Sequence, residues 1–128
     1  MSYRSDVKSN YFAVSGSPSA DDRVEITGLP TICWLRGLYV SYPGAASGGN
    51  QPSRVDFVTE STGGAPSDSD SDWIASVGFG YLYMGQSVVY PDDSYFEIVK
   101  NDADTTGLYV TCSNAAMLAQ VAVTVVYT

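Results

Sequence analysis

Gly107-Leu108-Tyr109-Val110-Thr111-Cys112, a short alanine-rich link, and then Val121-Ala122-Val123-Thr124-Val125-Val126-Tyr127 form the stretch that decides the fold. Both runs are dense in β-branched and aromatic residues, the types that fit a pleated, half-buried surface. A terminal strand frays unless a sheet already built takes it in, so the two runs read as a strand pair that closes a sheet. The first run has an echo earlier in the chain, Gly37-Leu38-Tyr39-Val40-Ser41. The two Gly-Leu-Tyr-Val segments read as central strands of one β-sandwich. Between the closing runs, Asn114 is placed to cap a helix over Ala115, Ala116, Met117, Leu118 and Ala119. The valines that follow would lose χ1 freedom in a helix, so one turn before a strand is expected.

Composition agrees with an all-β chain. Of 128 residues, 45% are hydrophobic and only 16% charged. Glycine, serine, threonine and aspartate fill the difference, the residues of turns and strands rather than helices. Working outward, Tyr11–Val14 reads as a short strand and Arg23–Thr27 as a half-buried one with Val24 and Ile26 on one face. Ile32–Tyr42 runs almost unbroken, with Trp34, Leu38, Val40 and Tyr42 on one parity and Leu35 and Tyr39 on the other. Both its faces are therefore expected to be covered. Arg54–Thr59, Trp73–Gly78 and Tyr95–Val99 are further strands. Tyr81–Met84 and Ser87–Tyr90 flank Gly85-Gln86, which reads as a hairpin turn. Turn signals recur roughly every ten residues, the spacing of an antiparallel β-sandwich or jelly roll with nine to ten short strands. Residues 1–10 are polar and read as an N-terminal arm, leaving 11–128 as a single β-sandwich domain.

The chemistry expected of this chain is not catalytic. It contains no histidine, which removes the commonest general base, the histidine-dependent triads and the commonest zinc ligand. Asp21-Asp22 and Asp92-Asp93 fall in turns, where aspartate serves the backbone. Asp56 and Glu97 lie in strands and are the one carboxylate pair that could oppose across a cleft. Cys33 and Cys112 lie in apolar runs and are expected as free thiols. No cofactor is expected. Asp68, Asp70 and Asp72 have the spacing that opens an EF-hand, but the sixth and twelfth positions hold Trp73 and Phe79 instead of glycine and glutamate. An irregular Ca²⁺ site there stays open beside a solvated loop.

Binding is the function class that remains. The net charge of −8 and six scattered basic residues argue against nucleic acid. No apolar run approaches the roughly 20 residues of a membrane span, and residues 1–10 lack the apolar core of a signal peptide. Synthesis in a cytoplasm is the expectation. Ten tyrosines and two tryptophans exceed what a core of this size needs, and tyrosine on a rigid sheet suits protein interfaces. Tyr81, Tyr83, Tyr90 and Tyr95 around the hairpin are the candidate contacts, with Tyr3, Arg4 and Lys8 of the arm beside them. Ordinary cross-strand pairing is the alternative for those tyrosines.

The order of these segments resembles a known group. A late Gly107–Thr111 strand, a closing Val123–Tyr127 and an aromatic-Pro-Asp turn at Tyr90-Pro91-Asp92 are similar to small β-sandwich virion proteins of tailed bacteriophages. The group includes the decoration, or cement, proteins of the head and related fibre modules. The likeness covers roughly the last 90 residues and rests on pattern, without a catalytic signature. It implies a structural virion protein on the capsid surface, bound to the major capsid protein, often as a homotrimer. A second class also fits: a head-fibre or tail-spike module that recognises a receptor or carbohydrate through the loops 43–53 and 60–72.

Overall fold

A computed structural model describes residues 7–41, 53–67, 69–79, 85–89, 96–101, 103 and 105–128, with backbone alone at 53, 79 and 85–89. Among these residues the order is β1 (Lys8–Ala13), β2 (Val24–Glu25), β3 (Ile32–Ser41), β4 (Ser53–Glu60), β5 (Trp73–Phe79), β6 (Gly85–Val89), β7 (Phe96–Val99), β8 (Thr106–Cys112), α1 (Ala115–Leu118) and β9 (Ala122–Tyr127). Among the described residues the chain is all-β apart from the single turn of α1. Its strands form two antiparallel sheets, one ordered β1-β9-β3-β6 with β7 also on β3, the other β2-β8-β4-β5.

The two Gly-Leu-Tyr-Val segments are central strands, as the sequence suggests, and each organises a different sheet. β3 is long enough to carry β7 along Ile32–Leu35 and β6 along Gly37–Ser41, with β9 on its other side. β8 lies between β2 and β4. This corrects the expectation that Gly107–Tyr127 closes one sheet as a pair. β9 pairs with β1 and β3, so the α1 link carries the chain from one sheet to the other. Leu35, Leu38, Val40, Ile98, Val123 and Val125 of the first sheet and Val55, Phe57, Leu108, Val110 and Cys112 of the second form one core. Met117 and Leu118 of α1 join it, fully buried. Burial of each such large side chain contributes about 1.5–3 kcal/mol.

Asn114 starts α1 as the sequence suggests: its Oδ1 accepts the Met117 backbone N–H at 3.1 Å. That bond satisfies a donor with no partner inside so short a helix. Asn114→Ala is expected to cost about 1 kcal/mol, which thermal unfolding would read as a fall in Tm of roughly 4 °C.

Three sequence expectations change. Lys8–Asn10 belong to β1, paired with Tyr127, Val126 and Val125, so the polar arm does not reach residue 10. Exposure of Lys8 and Ser9 hid the strand, because an edge strand at a sheet's rim tolerates polar residues on both faces. Gly85-Gln86 are not a turn: they lie inside β6 opposite Ser41 and Val40, where β3 offers a ladder that outweighs glycine's turn preference. Residues 81–84, the other arm of the expected hairpin, lie outside the described residues.

The third change concerns β3. Its pairing with β9 shifts between Leu35 and Gly37, a β-bulge. One extra residue resets the alternation, so Leu35, Leu38 and Val40 all face the core while Trp34 and Tyr39 both face outward. Among the described residues, only one face of this strand is covered.

The sheet with both faces covered is the second. Tyr109 and Val58, opposite one another, are buried on the side away from the core. Residues 19–23 and 60–67 fold over that side. Arg23 donates to the carbonyls of Glu60 and Gly64, both at 3.0 Å, and pairs with Asp72 at 2.6 Å. Arg54 donates to the Pro66 carbonyl at 3.0 Å.

Candidate docking face

The outer face of the five-stranded sheet collects the large apolar side chains that the core does not. In register across β1, β9 and β3 lie Tyr11, Thr124 and Tyr39. Along β3 and β7, Trp34 sits beside Glu97 and Ile32 beside Val99. Tyr11 is 70% exposed, Tyr39 and Ile32 52% each, Val99 45% and Trp34 38%. Strand spacing and rise make this face about 14 Å across by 23 Å long, on the order of 300 Å². That is the size of the largest exposed patch on an ordinary monomer, which is often functional.

Its electrostatics differ from the rest of the chain. Among the described outward positions of β1, β9, β3 and β7, the charged residues are Arg36 and Glu97, one of each sign. The chain as a whole carries −8. The described positions of this face are thus formally neutral and rich in aromatics. Tyrosine and tryptophan on such a platform bury a large area with few rotors to freeze, and both are enriched where binding energy concentrates.

The sequence-predicted contacts fall differently. Tyr3, Arg4, Tyr81, Tyr83, Tyr90 and Tyr95 lie outside the described residues. Lys8 is described and exposed, but strand alternation sets it on the face opposite Ser9 and Tyr11. The platform residues Tyr11, Ile32, Trp34, Tyr39 and Val99 were missed. The available signal was Arg36-Gly37 inside an otherwise apolar run, since a glycine within a strand marks a bulge.

Several other candidate groups have structural partners. Asp56 and Glu97 do not oppose across a cleft: Asp56 lies in β4 of one sheet and Glu97 in β7 of the other. Asp70 accepts the Ser67 backbone N–H at 2.9 Å, and Asp72 is neutralised by Arg23. Asp68 lies outside the described residues, so the three aspartates cannot be compared as a set. Asp22 accepts the Ser19 N–H at 2.8 Å, the turn role expected of that pair. Cys33 and Cys112 are buried free thiols, and burial pushes the Cys33 thiol up from its ordinary pKa. Comparison with family models, curated proteins and solved structures returns no match.

Proposed function

We propose that this chain is a non-enzymatic binding protein that docks on another protein through the outer face of its five-stranded sheet. Following the resemblance noted above, the partner is the outside of a tailed-phage head, and the role is that of a decoration protein bridging major capsid protein subunits. The observation that carries the docking reading is the platform of Tyr11, Ile32, Trp34, Tyr39 and Val99 on a chain otherwise acidic. A platform without net charge approaches a protein surface with little desolvation of ions, which is the dominant cost at charged interfaces.

Strand order supports a jelly-roll reading of the fold. The orders 1-9-3-6 and 2-8-4-5 pair first with last and second with next-to-last strands, as two Greek keys folded together would, with β6 and β7 sharing one position. Jelly rolls recur in viral capsid and lectin domains. Fold alone does not assign a role, so the weight rests on the face. On a shell with many identical sites, modest single contacts add through effective concentration if each copy bridges two subunits. A trimer is part of the proposal, and sedimentation velocity reads it as three times the 13.6 kDa chain mass.

Co-sedimentation with empty heads tests the reading. The wild-type chain is expected to pellet with heads in saturable fashion. Trp34→Ala combined with Tyr39→Ala removes two central aromatics and should weaken occupancy at least 100-fold, as loss of two hot-spot side chains does. Failure of the wild-type chain to bind would end the virion reading. Equal binding by the double variant would move the interface elsewhere.

A further inference from the structure

β1 is an edge of the five-stranded sheet: β9 pairs with one side of it, and among the described residues no strand pairs with the other. The direction of its backbone groups follows from the ladder. Val14, the next residue along, donates its N–H to the Val121 carbonyl at 3.0 Å. In an antiparallel pair, residues that exchange bonds alternate with residues that do not. Lys8, Asn10 and Phe12 therefore share the direction of Val14, toward β9. Ser9, Tyr11 and Ala13 turn their N–H and C=O groups to the open side, and all three are exposed. The far side of β9 agrees. Thr128 and Trp34 exchange both backbone bonds, each at 3.0 Å, which leaves the odd-numbered residues of β9 for β1.

An open row of this kind is a template for another strand, and chains usually blunt it with short strands, prolines, charges or bulges. The other described edges are short or share a corner. β2 has two residues and β7 four, while β5 and β6 lie beside one another where the two sheets meet. β1 has six residues, no proline and an unbroken register with β9. Its one charge is Lys8, at the end of the strand. On a chain of net −8, residues 7–20 contain no carboxylate.

We propose that the occupant of this edge is a second copy of this chain, β1 against β1, antiparallel and centred on Tyr11. That register matches every outward position of β1 with another. Tyr11 of one copy exchanges both backbone bonds with Tyr11 of the other, and Ser9 of each does so with Ala13 of the other. Opposite residues share a sheet face, so the two Tyr11 side chains form a cross-strand aromatic pair on the outer surface. The two Lys8 side chains fall about 20 Å apart, at opposite ends of the pairing, beyond the reach of repulsion at physiological salt.

The two-fold axis of this pairing stands perpendicular to the sheet, so both outer faces look the same way. The row Tyr39-Thr124-Tyr11 continues into its copy, and the platform grows from about 300 to about 600 Å². If the docking reading holds, the pair is a bivalent unit able to rest on one shell and bridge two subunits. The three-fold contact proposed above then uses another part of the chain. A six-residue edge buries far less than the roughly 800 Å² per partner of a stable complex. The pair is accordingly weak in solution and strengthens where copies crowd on one surface.

Site-directed disulfide trapping tests the pairing on the full chain, without heads, so its failure leaves the docking reading standing. The native Cys33 and Cys112 are buried and do not compete. Hydrogen-bonded partners in such a ladder have Cα atoms about 5.5 Å apart, within the range a disulfide spans. Tyr11→Cys should oxidise to a covalent dimer at least tenfold faster than Lys8→Cys, which is also exposed and measures random collision. Ser9→Cys mixed with Ala13→Cys should cross-link at least tenfold faster than either variant alone. Circular dichroism identical to wild type confirms that each variant is folded. Tyr11→Cys no faster than Lys8→Cys, or a mixture no faster than its separate components, would each overturn the pairing.

Discussion

Replacing Arg23 by methionine is expected to destabilise the chain by about 3–5 kcal/mol, the cost of removing one member of a buried ion pair. The Arg23 side chain is 4% exposed and that of Asp72 12%. Removing the guanidinium strands the Asp72 carboxylate and two backbone carbonyls, those of Glu60 and Gly64. Those three bonds are a seam that ties Glu60, Gly64 and Asp72 to Arg23 over the second sheet. In thermal unfolding the loss corresponds to a fall in Tm of roughly 10–20 °C. The double variant Arg23→Met with Asp72→Leu should recover much of it, because an apolar pair leaves no uncompensated charge. A double variant no better than the single one would show that packing, not the charge, sets the cost. Gly63 belongs to the same seam: its φ of +143° suits glycine, and an added Cβ would run into the Arg23 guanidinium.

Phe57→Ala is expected to cost a similar amount, about 3–5 kcal/mol. Phe57 is fully buried in β4, between β5 and β8, and points into the core shared by both sheets. Truncation removes its burial and leaves a cavity that neighbours in two hydrogen-bonded ladders cannot close. Phe57→Leu keeps most of the volume and should cost less than half as much. Denaturant unfolding with an unchanged m-value would attribute both losses to the native state.

Much of the fold was legible because alternation and turn chemistry act locally. Arg54–Thr59, Trp73–Gly78 and Gly107–Cys112 announce strands through their own residues, and Asn114 announces the helical turn. The assignment of strands to sheets was not legible. Whether β9 lies beside β8 or across the core from it depends on where α1 can pack, a tertiary matter that neighbouring residues do not encode. β1 was half hidden for a related reason, since its polar start is stabilised by pairing with β9 and not by burial of its own side chains.

The docking platform was illegible through a single residue. Read with strict alternation, Trp34 and Tyr39 fall on opposite faces of β3, and Tyr39 joins Leu35 in the core. The bulge after Leu35 reverses that and brings Trp34 and Tyr39 to one surface. In the sequence, the visible cluster of tyrosines is instead Tyr81, Tyr83, Tyr90 and Tyr95. Clustering along the chain says little about a sheet face, where Tyr11 and Tyr39 flank Thr124 through strands from distant segments.

Surface labelling by carbene footprinting, read by mass spectrometry on the chain free and bound to empty heads, tests the central claim most directly. Tyr11, Trp34 and Tyr39 should label readily in the free chain and lose most of that labelling when bound, while Ser113 and Ala65 on the opposite side stay unchanged. Equal labelling of Tyr11, Trp34 and Tyr39 in both states would contradict the assignment of this sheet face as the docking surface.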